Sequence, residues 1–206
     1  MGSQSGILPA DVLRRGERRQ AEAQRVLNRL DLFRRWSEYG CPVLVGAVAY
    51  GLVVAPDIDM EIYCEQPQVE DGFAIVSQLA LDPAVWKVSF SNELEGPDRG
   101  LYWQLRYRDP ESEAREVWKI DMWLLEEGHP GPRSADLVEP MREALTPETR
   151  AAILWIKEAM LGCESVHGID VYRAVLDGSV RTPAEFEEWF AVHGPLGLTT
   201  WRPSLK

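Results

Sequence analysis

Seven consecutive residues alternate without interruption: Asp57, Asp59, Glu61 and Tyr63 take one set of positions, and Ile58, Met60 and Ile62 the other. A period of two marks a strand with one face in a core and the other outside it. Such a strand needs a sheet around it and a packed layer against its apolar side. The flanking sequence supplies both. Cys41 to Ala49 is a continuous apolar run, short for a helix, and reads as a buried strand. Further strands are expected over 84–90, 101–108 and 116–125. The stretches SNELEGPDRG and DPESEAR separate them, with the Gly, Pro, Asn and Asp that turns use.

The rest of the chain reads as helix. Residues 8–38 are rich in Arg and Leu, with Val12, Ala23, Val26, Leu27 and Leu30 at helical intervals, which predicts one or two amphipathic helices. Tyr39-Gly40 ends them, with Gly40 expected as a left-handed cap. Residues 70–80 form a helix that Asp82-Pro83 breaks. From Ala135 onward helices dominate. Thr146-Pro147 and Thr182-Pro183 each place an N-cap before a first-turn proline, and a helix over 169–176 stops at Asp177-Gly178. The expected class is α/β (α+β): a mixed sheet preceded by an N-terminal helix and followed by a helical C-terminal third. The expected division is a core at 1–130 and a helical region at 131–206 packed on it.

With 206 residues and 45% hydrophobic content, the chain can bury a core without disulfides. Cys41, Cys64 and Cys163 form no CxxC or Cys/His cluster, which suits a reducing compartment. No run of eighteen apolar residues exists, and the N-terminus lacks the basic-then-apolar order of a secretion signal, so a cytoplasmic protein with no membrane partner is expected. The net charge of −11 argues against a general polynucleotide surface. Residues 1–40 depart from it, with eight Arg against five acids. There Arg14, Arg15, Arg18 and Arg19 form either a solvated face with Glu17 and Glu22 or a face toward an anionic neighbour. His129, His167 and His193 sit in Gly- and Pro-containing turns and read as loop surface.

On a strand, Asp57 and Asp59 project side by side, and two adjacent carboxylates repel unless a cation sits between them. A hard divalent ion with oxygen ligands, Mg²⁺ or Mn²⁺, fits such a pair and leaves room for phosphates. An edge strand with a charged outer face is the structural alternative. Asp121 adds a second signal: it is the lone acid among Trp118, Ile120, Met122, Trp123 and Leu124, where burial is costly without a partner or a metal. Lys119 and Trp123 share its face, and Lys119 could neutralise it in an ion pair.

With Val45-Gly46-Ala47, then Asp57-Ile58-Asp59, then Asp121, the chain resembles the DNA polymerase β-like nucleotidyltransferase superfamily over residues 41–125. There a hydrophobic residue, Gly and Gly or Ser precede Asp-x-Asp or Asp-x-Glu, with a third acid on a later strand. The resemblance implies that Asp57 and Asp59 hold the ions that bind a nucleoside triphosphate. It implies that Asp121 ligates the catalytic ion and helps deprotonate the acceptor, and that Gly46 and the Ala47 amide approach the phosphates. Lys119 is the first candidate for a positive group near them. The usual Ser is Ala47 here, a loss on the order of 1 kcal/mol for one neutral hydrogen bond.

The reaction implied is transfer of a nucleoside monophosphate from a triphosphate to a hydroxyl or similar group of a small-molecule acceptor, with pyrophosphate released. The acidic surface sets a tRNA end behind a small acceptor. Two other functions carry the same residues: a non-catalytic nucleotide-binding or regulatory module with this fold, which Ala47 keeps open, and a glycosyltransferase using Asp-x-Asp. The last gives no role to Gly46-Ala47 or Asp121.

Overall fold

The computed structural model describes residues 9–112, 116–197 and 199–204. Leu8, where the sequence places the first helix start, and residues 113–115 of the loop DPESEAR lie outside them. Among the described residues five strands form one mixed sheet: β1 (Cys41–Val45), β2 (Asp57–Cys64), β3 (Val85–Asn92), β4 (Gly100–Arg108) and β5 (Val117–Glu126), in the order β1-β2-β5-β4-β3. Only β2 and β5 are parallel; the other neighbours are antiparallel.

The alternation seen in β2 recurs in β4 and β5 and decides which face is covered. Ile58, Met60 and Ile62, Leu101, Trp103 and Leu105, and Ile120, Met122 and Leu124 are fully buried. Against them pack α1 (Pro9–Arg29) through Ala23, Val26 and Leu27, α2 (Leu32–Trp36) through Leu32 and Trp36, and α4 (Val69–Leu79) through Ile75, Val76 and Leu79. The opposite face carries the polar residues of the same strands. Part of it is roofed by a 3-10 turn (Ser134–Leu137), α5 (Val138–Ala144), α6 (Pro147–Ala159), α7 (Gly168–Leu176) and α8 (Pro183–His193). These build a second core around Ile153, Ile156, Val175 and Phe186, which takes in Val12 of α1 and Tyr50. Thr146 and Thr182 cap α6 and α8 as the sequence predicts, with Pro147 and Pro183 in the first turn. No helix among the described residues is long and apolar enough to cross a membrane.

Two local expectations are corrected and a third is met in part. The run from Cys41 to Ala49 is a strand only to Val45; from Gly46 the chain turns into the five-residue helix α3 (Gly46–Tyr50). Apolar continuity cannot separate strand from buried helix, and the break comes from the positive φ of 65° at Gly46. Gly40 is not left-handed. It is needed instead because a Cβ there would lie 2.5 Å from the carbonyl oxygen of Tyr63, where the chain enters β1 beside β2. The Arg-rich face of α1 divides: Arg14 and Arg18 are solvated as expected, Arg18 beside Glu22, whereas Arg15 pairs with Glu158 at 2.6 Å and Arg19 with Glu116.

Candidate active site

Parallel pairing of β2 with β5 sets Asp57 opposite Lys119 and Asp59 opposite Asp121. Side chains at these positions leave the sheet on one face, so residues more than sixty positions apart in sequence meet. One carboxylate oxygen from each of Asp57, Asp59 and Asp121 lies within 4.8 Å of the others. The sequence expectation that the three acids converge is met, and Lys119 stands among them. Its ammonium is 3.0 Å from Asp57 Oδ2 and 2.9 Å from Asp121 Oδ2. The ion pair weighed as an alternative for Asp121 is thus present, bridging two acids.

The remaining oxygens differ in their partners. Asp121 Oδ1 accepts from the Tyr102 hydroxyl at 2.8 Å and from Gln104 Nε2 at 3.0 Å, both donors from β4. Tyr102 also packs its ring on Trp123, with centroids 4.8 Å apart. Asp57 Oδ1 is buried and has no hydrogen-bond partner among the described residues. An anionic oxygen taken from water without a hydrogen bond is costly, and a second cation, beyond the Lys119 ammonium on Oδ2, would offset that cost. The set of hard carboxylate donors around it fits Mg²⁺ or Mn²⁺.

Gly46 closes the site from the side of α3. A Cβ there would stand 2.5 Å from Asp59 Oδ2. A Gly46→Ala substitution meets two penalties, the left-handed backbone and the carboxylate in the methyl's place. We expect a loss on the order of 2 kcal/mol in chemical denaturation. Because Asp59 must move aside, stabilisation by added divalent metal should vanish as well.

The electrostatics are those of crowded acids. Burial, with Asp57 adding to it, raises the Asp59 carboxyl to about 7. Burial likewise raises Asp57, against the pull of Lys119. Burial acts to lower Lys119, yet Asp57 and Asp121 outweigh it and hold the ammonium above its ordinary range. An unfolded Asp ionises near about pH 3.9. Between there and about 7 the folded Asp59 keeps a proton that the unfolded chain releases. Its contribution is therefore fully favourable below the unfolded value, declines as pH rises, and is lost above about 7. A divalent cation needs the ionised form. Stabilisation by Mg²⁺ or Mn²⁺ in thermal melts should thus grow from pH 6 to pH 8; a shift independent of pH would place the ion elsewhere.

Beside the acids a cavity of about 550 Å³ opens between the sheet and the C-terminal helices. Gly46, Ala47, Asp57 and Asp59 line one wall; Arg133, Lys157, Trp201 and Arg202 are among the residues of the other. Lys157 was not singled out from sequence, where it is one lysine on an amphipathic helix. On α6 it is half-buried, donating to the Leu52 carbonyl at 2.7 Å and to the Tyr172 hydroxyl at 3.3 Å. Burial lowers its pKa to about 8, and the charges of Asp59 and Asp57 oppose the fall. The histidines are only partly as expected: His167 and His193 are exposed, but His129 is half-buried, bonded to the Asp98 carbonyl at 2.9 Å.

The fold is that of the polymerase β-like nucleotidyltransferases. A mutant of Cid1 poly(U) polymerase bound to MgATP superposes with a TM-score of 0.54 at 13% identity, over 73% of this chain and 45% of that one. A second Cid1 structure gives 0.54 at 13% identity over 76% and 46%, and a cytoplasmic RNA terminal U-transferase gives 0.53 at 13% over 76% and 45%. The chain thus spans a little under half the length of these neighbours. No family model and no curated protein matches the sequence.

Proposed function

We propose that the protein is a metal-dependent nucleotidyltransferase that moves a nucleoside monophosphate from a nucleoside triphosphate to a hydroxyl or similar group of a small molecule, releasing pyrophosphate. The observation that carries this reading is the convergence of Asp57, Asp59 and Asp121, the first two of them in the wall of a cavity, with Asp57 Oδ1 buried and without a hydrogen-bond partner among the described residues. In this reading residues 1–130 are the catalytic core and 131–206 close one side of the nucleotide cleft.

Asp57 and Asp59 would hold Mg²⁺ or Mn²⁺ together with Asp121. A bound divalent ion supplies charge neutralisation at the phosphates and acidifies an attacking oxygen. The chain's own groups do the rest. Asp121 takes the acceptor proton, its carboxylate aimed by Tyr102 and Gln104. Gly46 and Ala47 give the phosphates close access to main chain. Lys157 faces the triphosphate from α6 as a positive group in a part-buried setting, where its charge is weakly screened. Lys119 serves the carboxylates rather than the phosphates, since both its contacts are to acids. The net charge of −11 favours a small acceptor over RNA.

Lys119 also favours a second reading, the non-catalytic module. Its ammonium neutralises Asp57 and Asp121 without a metal, and Ala47 lacks the hydroxyl of the usual Ser. One experiment separates the two: pyrophosphate release and thermal stabilisation with Mg²⁺, each nucleoside triphosphate in turn, and two acceptor sets, small hydroxyl compounds and RNA oligonucleotides. Metal-dependent turnover supports the enzyme, and the productive set names the acceptor class. Stabilisation without turnover supports the module; neither effect removes both. In the same assay Lys157→Met should weaken triphosphate binding by about tenfold or more, the loss of one charged contact, with metal binding retained.

A further inference from the structure

β3 is an outer strand of the sheet, and exposed apolar side chains gather on it. Of nine exposed large hydrophobic residues among the described ones, six fall between positions 73 and 94: Phe73, Leu81, Trp86, Val88, Phe90 and Leu94. Val88 and Phe90 lie opposite Leu105 and Trp103, hence on the core side of the sheet. Phe90 packs there edge-on against Phe73 and tilted against Trp103, with centroids 4.9 and 5.0 Å away, and still leaves about a third of its surface to solvent.

The backbone of β3 has a definite phase. Glu93 donates its N–H to the Gly100 carbonyl at 2.9 Å. In an antiparallel ladder such residues alternate, so Ser89, Ser91 and Glu93 spend their main-chain groups on β4, whereas Val88, Phe90 and Asn92 turn theirs outward. Among the described residues no strand pairs with that outer side. An open edge of this kind is a template for another strand.

We propose that β3 pairs antiparallel with β3 of a second copy of this chain, about a two-fold axis through Phe90. Phe90 then faces its own symmetry mate, Ser89 faces Ser91, Val88 faces Asn92 and Lys87 faces Glu93. Three features select this partner and register. The residues that must exchange hydrogen bonds across the axis, Val88, Phe90 and Asn92, are those whose main-chain groups point outward; a slip by one residue would set inward-facing groups against them. Lys87 and Glu93 meet as opposite charges, and the symmetry makes that pair twice. The aromatic edge of Phe90, with Phe73 behind it, is covered by the same surface of the mate. Trp86 and Leu94 lie just beyond the ladder at its two ends, where the bulge between Val85 and Lys87 stops regular pairing on one side. The inference is independent of the chemistry at the acids.

Sedimentation equilibrium on the whole chain tests it. We expect a monomer–dimer equilibrium with a dissociation constant on the order of tens of micromolar, because a seven-residue ladder with few aromatic contacts is smaller than a standard interface of about 800 Å² per partner. Lys87→Glu and Glu93→Lys, made singly, set like charges opposite each other in two places and should each weaken the dimer by about tenfold or more. The combined Lys87→Glu/Glu93→Lys chain should dimerise like the wild type. Circular dichroism melts of each variant check that the fold is kept. A wild type that stays monomeric through the hundred-micromolar range, a dimer that ignores the single swaps, or a double swap that fails to restore it would each overturn the proposal.

Discussion

Asp59→Asn should abolish metal-dependent triphosphate stabilisation and reduce turnover by on the order of a thousandfold, while leaving the fold intact. The substitution keeps size and hydrogen-bonding capacity and deletes one negative charge from the middle of the acidic cluster. Asp59 faces Asp121 across the β2–β5 pairing and touches Gly46 on its other side, so neither Asp57 nor Asp121 can take its place. A loss of about a thousandfold corresponds to roughly 4 kcal/mol of transition-state stabilisation, the scale of removing a charge-stabilising group from a closed site. The same change should stabilise the metal-free protein above pH 7, where the wild-type carboxylate is ionised against its environment. Parallel melts with and without metal read both signs. If Asp59→Asn binds metal and triphosphate as the wild type does, the acids are not the metal site.

Glu61→Ala should be the most destabilising single change on the same strand, by about 3–5 kcal/mol in chemical denaturation. Glu61 follows Asp57 and Asp59 in the alternating row but does other work. Its buried carboxylate accepts the Ser134 N–H at 2.9 Å, the Ala135 N–H at 2.8 Å and the Tyr63 hydroxyl at 2.6 Å. It fastens the start of the 3-10 turn, and with it the helical roof, onto β2. Truncation leaves the buried Tyr63 hydroxyl and two part-buried amides without their acceptor, whereas Glu61→Gln keeps one acceptor oxygen and should cost about half as much. Arg133 and Ser134 line the cavity, so the alanine variant should also bind triphosphate more weakly. A loss below about 1 kcal/mol would mean that water replaces the carboxylate.

The sheet was legible because its signal is physical and local: Ile58, Met60 and Ile62 must be buried, and the acids between them then have no choice of face. The convergence of Asp57, Asp59 and Asp121 was legible through the Gly46 spacing and the isolation of Asp121 among apolar residues. Lys157 was not. A lysine on a helix gives no sign in sequence of whether its ammonium reaches solvent or a cleft, and only the packing of α6 over Leu52 and Tyr172 decides it. The two contacts of Lys119 were half legible, since alternation placed it beside Asp121 but nothing in β5 reports the register against β2. Glu61 was ambiguous for a related reason: the strand pattern groups it with Asp57 and Asp59, and the amides that claim it lie more than seventy residues away.

The strand order has a consequence for how the protein is made. β5 is the last strand synthesised, yet it sits in the middle of the sheet, between β2 and β4. Until residues 117–126 have been translated, the nascent chain can form only two separate hairpin-like halves, β1 with β2 and β3 with β4, each with an open edge. Insertion of β5 joins them through one parallel and one antiparallel ladder, and parallel pairing across that sequence distance is a slow, high-contact-order event. The same insertion brings Asp121 and Lys119 to Asp57 and Asp59. Folding intermediates lacking the docked strand would therefore expose two sticky edges and hold no metal, so that divalent-ion binding, followed during refolding, reports the final step of sheet closure.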